Sequence, residues 1–170
     1  MPSKFVESYQ IVPIVMPLDW DTDRTGDYVS LQGFGKLVVI AIASPGTAGD
    51  DPTFTFQQAT AVAGTSAKDL TVITESWSKQ AATDLTAVGT FTRLAQSAAT
   101  SLAGNATSAE QAKVYVIEID AEQLDVDNGF DCLTCNVALA ASGGAQYGCI
   151  IGILCDPRFP QATTESAIVD

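Results

Sequence analysis

"GCIIGILCDPRFP", residues Gly148 to Pro160, is a continuous apolar run that stops at Asp156-Pro157. Its length and isoleucine content suit a strand, and the side chains of a strand alternate between the two faces of its sheet. Ile150 and Leu154 then fall on one face, with Cys149, Ile151 and Ile153 on the other. A strand that is apolar on both faces needs cover twice, once from a partner sheet and once from something else. A second copy of the chain, another protein's surface or a long loop of the same chain would each supply it. The nature of that second cover is therefore the functional question.

Outward from this strand the same signals repeat. Short runs of Val, Ile, Phe and Thr bounded by Gly, Pro, Asp and Asn predict strands at Gln10–Met16, Tyr28–Gln32, Lys36–Ala43, Thr53–Gln58, Val72–Ser78, Thr90–Leu94, Val114–Ile119, Cys132–Ala140 and Tyr147–Cys155. In Val114–Ile119, Tyr115, Ile117 and Ile119 share the core face, and Leu133, Cys135, Val137 and Leu139 do so in the next strand. Trp77 also stands in a strand with a core-like alternation. "TSAEQAK", from Thr107, has the capping-box spacing of one or two helical turns. Ser44–Pro52 suits an exposed connection, and Asn128-Gly129 suits a tight turn with positive φ. The expected fold is mainly β: a single-domain antiparallel β-sandwich or jelly roll over residues 1–170, with one or two short helical turns and extended arms at 1–7 and 160–170.

Composition narrows the function. Twenty acidic residues stand against 8 basic ones, a net charge of -12. A nucleic-acid binder brings Lys and Arg to phosphates, and Arg24, Arg93 and Arg158 are the chain's arginines, widely spaced among acids. Direct nucleic-acid binding and attachment to anionic lipid are both disfavoured. The apolar runs Leu37–Ala43 and Cys149–Cys155 fall far short of the ~18 residues of a membrane span. "MPSKFVESYQIVPIVMPLDW" lacks the sustained apolar core of a signal peptide, so synthesis in a cytoplasm and reduced cysteines are expected.

The motifs that suggest chemistry each fall short. Cys132 and Cys135 form a CxxC, but the odd spacing on a strand aims the two thiols at opposite faces; with no histidine in the chain, buried thiols are the expected reading. Asp19, Asp21, Asp23 and Asp27 resemble the start of a calcium loop, yet Arg24 and Ser30 stand where an EF-hand needs Gly and Glu. Glu118, Asp120, Asp125, Asp127 and Asp131 could supply a glycosidase pair, but acids flanking a turn more often cap its N–H groups. Gly33-Phe34-Gly35 lacks the third glycine of a dinucleotide fingerprint. No catalytic, cofactor or metal residue is assigned, and a non-enzymatic role is expected.

Three stretches carry a resemblance: "TFTFQQA" at Thr53–Ala59, "EIDAEQLDVDNGF" at Glu118–Phe130 and "DPRF" at Asp156–Phe159. With them the chain resembles small virion structural proteins of tailed bacteriophages that are encoded near the major capsid protein. The resemblance implies a head decoration, or cement, protein bound to the capsid exterior. It further implies the major capsid protein as partner and self-association, with a trimer favoured. A tail or fibre-base component is the alternative within that class; a carbohydrate-binding sandwich using Trp20 or Trp77 is the alternative outside it. The corner Pro157, Arg158 and Phe159 is the expected interface, because Pro157 ends the strand, Phe159 has no alternating strand to bury it and Arg158 could meet a carboxylate across a contact.

Overall fold

Alternating apolar positions build strands that can bury one face, and two such faces closed on each other make this molecule. The computed structural model describes residues 5–81, 89–104, 111–138 and 145–158. Its strands are β1 (Gln10–Asp19), β2 (Val29–Ser30), β3 (Phe34–Ala43), β4 (Thr53–Ala59), β5 (Lys68–Asp69), β6 (Ile73–Ala81), β7 (Thr92–Ala99), β8 (Ser101–Ala103), β9 (Ala112–Asp120), β10 (Cys132–Ala138) and β11 (Tyr147–Pro157). One sheet has six strands in the order β1-β11-β3-β9-β6-β7. The other runs β2-β10-β4-β5, with β8 also paired to β4. All named pairings are antiparallel, so the fold is the expected mainly β sandwich.

The core lies between the sheets. Leu37, Val39 and Ala41 of β3, Tyr115, Ile117 and Ile119 of β9 and Ile150 and Leu154 of β11 meet Phe54 and Phe56 of β4 and Leu133, Cys135 and Val137 of β10. The Phe54 ring crosses the gap to Tyr115 at 5.2 Å and takes Trp20 edge-on at 6.1 Å. Trp20 is fully buried over Gly148, where even a methyl group would come within 2.3 Å of its ring. β11 sits between β1 and β3, paired to β1 from Leu154 against Gln10 and to β3 from Gly148 against Ala43.

Several details differ from the sequence reading. β5 and β8 are additional strands of two and three residues, too short for an alternation to show. Ala112 and Lys113, the end of the expected helical turn from Thr107, belong to β9, while residues 105–110 lie outside the described residues. The helical material is instead α1 (Phe5–Ser8) and two 3-10 turns, Ala121–Gln123 and Val126–Asn128. The second turn ends at Gly129, whose φ of 80° matches the turn read at Asn128-Gly129. The described part of the 1–7 arm thus begins a turn of helix, with Phe5 stacked on Tyr9 at 4.7 Å; the 160–170 arm lies outside the described residues. In the Ser44–Pro52 connection Asp50 is buried, because its carboxylate accepts from the Thr47 amide (2.6 Å) and hydroxyl (2.8 Å).

Trp77 is a correction. It faces outward, while Ser76 and Ser78 point into the sandwich. The register shift between Ile73 and Glu75 explains this: Ile73 is buried, and the irregularity inverts the faces of every residue after it.

Candidate functional site: the outer face of the six-stranded sheet

The inward residues of β11 alternate strictly, and the outward ones answer the opening stretch. Gly148, Ile150, Gly152 and Leu154 are buried; Cys149, Ile151, Ile153 and Cys155 lie on the outer face, half-buried by their neighbours. Antiparallel register carries this apolar character across the sheet in rows. One row runs Pro13, Ile151, Ile40, Val116 and Trp77 over five strands. A second runs Ile11, Ile153 and Val38 to Glu118. A third runs Cys149, Ile42 and Val114 to Lys79. Ile11, Met16, Ile42, Trp77, Phe91 and Tyr147 are large apolar side chains exposed between 39% for Trp77 and 60% for Tyr147. Apolar patches on soluble monomers seldom exceed a few hundred Å², and this one reaches across the sheet.

Charge gathers at the rim of this face. Lys36 holds Glu118 at 2.8 Å and Asp120 at 3.6 Å. The hydrogen bond to Glu118 raises the Lys36 ammonium above its usual pKa. Arg93 pairs with Glu75, and Lys79 lies 5.2 Å over the Phe91 ring. Trp77, Phe91, Val116 and Glu118 line a shallow depression of about 290 Å³. At the other end Pro17, Ile42, Pro45, Tyr147 and Cys149 line an apolar groove of about 370 Å³. Burial pushes the Cys149 and Cys155 thiols up, so both are poor nucleophiles at neutral pH.

The expected interface corner divides. Pro157 remains paired, opposite Phe34, and the Arg158 amide donates to the Gly33 carbonyl at 2.8 Å. The exposed Arg158 side chain borders a cleft with Leu31, Leu124, Val126 and Asp131. Phe159 lies outside the described residues. The sequence located the doubly apolar strand, and its signal extended to Ile40, Ile42 and Val116, but the rows became visible only with register.

The other motifs are dispersed into structural pairings. Cys135 is in the core and Cys132 is on the opposite face of β10, its thiol 3.2 Å from Asp131; burial, aided by that carboxylate, pushes Cys132 up to about 12. In the aspartate loop, Arg24 pairs with Asp21 and donates to the Asp19 carbonyl at 3.1 Å, while Asp19 accepts from the Gln146 amide. Among the described residues no three His, Cys, Asp or Glu side chains gather as a metal site. Asp125 is held below the usual carboxylate range by Lys68, well away from the Lys36 cluster of Glu118 and Asp120. Trp20 is buried and offers no surface to a sugar. Among the described residues no helix is long and apolar enough to cross a membrane.

No protein-family model and no curated protein sequence matches the chain. Among solved structures, the crystal structure of the SPBc2 prophage-derived protein YomS aligns over 86% of this chain and 91% of its own, at 10% identity and a TM-score of 0.43. That likeness is too distant to transfer a fold or a role.

Proposed function

We propose that this chain is a non-enzymatic structural component of a bacteriophage particle, a head decoration protein that binds the major capsid protein on the capsid exterior. The observation that carries the reading is the apolar outer face of the six-stranded sheet. An apolar face of this kind contributes binding energy through area and exclusion of water, which is what an assembly contact requires. The sequence resemblance at Thr53–Ala59, Glu118–Phe130 and Asp156–Phe159 supplies the particle. The Arg158 corner, at the end of β11, is the proposed capsid contact. The test is reconstruction of intact particles, with density for this chain expected at repeating positions on the head. Arg158→Ala is expected to lower occupancy at least several-fold while leaving the melting temperature unchanged. Density on the tail alone would move the protein to the tail or fibre base.

A second reading has one observation in its favour. Trp77 and Phe91 beside Glu118 form an exposed aromatic surface next to an acid, the chemistry of a sugar platform. Saturable quenching of Trp77 fluorescence by a glycan series, lost in Trp77→Ala, would favour it over the assembly reading.

A further inference from the structure

We infer that the outer face of the six-stranded sheet is covered by the same face of a second copy, so that the working unit is a two-fold pair of sandwiches packed sheet against sheet. The inference rests on the assembly reading of this face and names its occupant.

Three observations point to a second copy. The first is area. The six large exposed side chains, with the half-buried residues of the three rows between them, present on the order of 800–1,000 Å² of apolar surface, about what each partner of a stable complex buries. The second is charge. The protein carries -12 overall, yet among the described residues the charged side chains that register places on this face are the bases Lys36, Lys79 and Arg93 against the acids Glu75, Glu118 and Asp120, with Asp19 at its margin opposite Tyr147. Over the described residues the face is thus close to neutral, in contrast to the acidic chain as a whole. Two copies that repel over most of their surface can meet here, whereas a basic partner would be drawn to another side. The third is the neighbouring edge. β1 carries Pro13 and Pro17 and has register shifts on either side of Val15, features that blunt an edge against strand addition. Association through stacked faces remains open where association through edges is hindered.

Register also suggests how such a pair would seat. The row Pro13, Ile151, Ile40, Val116 and Trp77 crosses the middle of the face, so a two-fold axis near Ile40 places apolar rows against each other and leaves Lys36 and Lys79 toward opposite ends. Sheets stacked this way lie ~10 Å apart, close enough to dry the row.

The native cysteines report the contact. Cys149 and Cys155 lie on the face, and Cys132 and Cys135 are buried on β10 of the other sheet. Sedimentation of the purified protein is expected to give twice 17.7 kDa at micromolar concentration. Alkylation of Cys149 and Cys155 is expected to slow at least tenfold between dilute and concentrated protein, with Cys132 and Cys135 unreactive at both. Trp77→Glu and Ile42→Glu, each at an exposed position, should give monomers with the parent circular dichroism and concentration-independent labelling. A monomer at 100 µM (about the highest working concentration) with both thiols freely reactive overturns the inference, as does a trimer with both thiols reactive. In that event reconstruction of intact particles separates the two readings: density for this chain at repeating head positions leaves the assembly reading standing, and its absence removes both.

Discussion

Gly148→Ala tests whether the closing strand is fitted around Trp20 as described. The added methyl would stand 2.3 Å from Cζ2 and 2.5 Å from Cε2 and Cη2 of the indole, where ordinary contacts begin at 3.4 Å. The ring must therefore retreat by about 1 Å or the strand must shift, since overpacked cores relax only in part. Retreat is opposed by Phe54, itself packed on Tyr115. Overpacking of this kind costs about 1–3 kcal/mol, and removing a strand glycine returns about 0.5–1 kcal/mol through the unfolded chain. The net expectation is a loss of about 1–2 kcal/mol, which lowers Tm by about 2–8 °C in a chain of this size. Urea unfolding followed by tryptophan emission measures it. The double variant Gly148→Ala/Trp20→Leu should be more stable than the sum of its single changes by at least about 1 kcal/mol, because the smaller side chain accepts the methyl. An unchanged Gly148→Ala, or strictly additive losses, would refute the packing described for Trp20.

Two further outcomes follow from buried groups. Cys132 and Cys135 both ionise less readily in the folded chain, chiefly through burial, so their contribution to stability is fully present below the unfolded thiol value of 9.0 and is lost as pH rises from there toward about 12. Urea midpoints should fall between pH 9 and 11 in the parent, with a shallower slope in Cys132→Ala/Cys135→Ala; equal slopes would count against it. Lys113 is fully buried with its ammonium 3.6 Å from Asp51, and Lys113→Met, which keeps the apolar stem, should cost about 3 kcal/mol by leaving a mostly buried carboxylate without its cation. Denaturant unfolding equal to that of the parent would show the pair to be dispensable.

Where one face of a strand is buried and the other wet, as in Tyr115, Ile117 and Ile119 against Glu118, periodicity gave the core directly. β11 was equally legible as a strand, and its second apolar face was a true signal of surface that this chain, over its described residues, leaves half-covered. β5 escaped notice because Lys68 and Asp69 are in a strand only through backbone pairing with Gln57 and Gln58, which side-chain pattern does not encode. Trp77 was assigned to the wrong face because a single register irregularity leaves no mark in composition but inverts all that follows. The candidate site was half legible for a related reason. Each strand advertises its own apolar residues, but the face exists only once Ile151, Ile40 and Val116 are set side by side by pairings between residues far apart in the chain.

The position of β11 has a consequence for synthesis. Among the described residues it is the last strand in chain order, yet it occupies an interior place in its sheet, and β1, early in the chain, pairs within that sheet with β11 alone. Until Tyr147–Pro157 has left the ribosome, β1 lacks its partner among the described strands of that sheet and β3 lacks one of its two neighbours. Closure thus awaits a contact that spans most of the chain, the kind that forms slowly. The same strand contributes Cys149, Ile151 and Ile153 to the middle of the apolar face, so that face is complete only once β11 has paired. Until then β3 keeps an open edge and the core faces of both sheets are incompletely covered, the exposure that makes unfinished chains prone to associate, so prompt docking of β11 protects the nascent molecule.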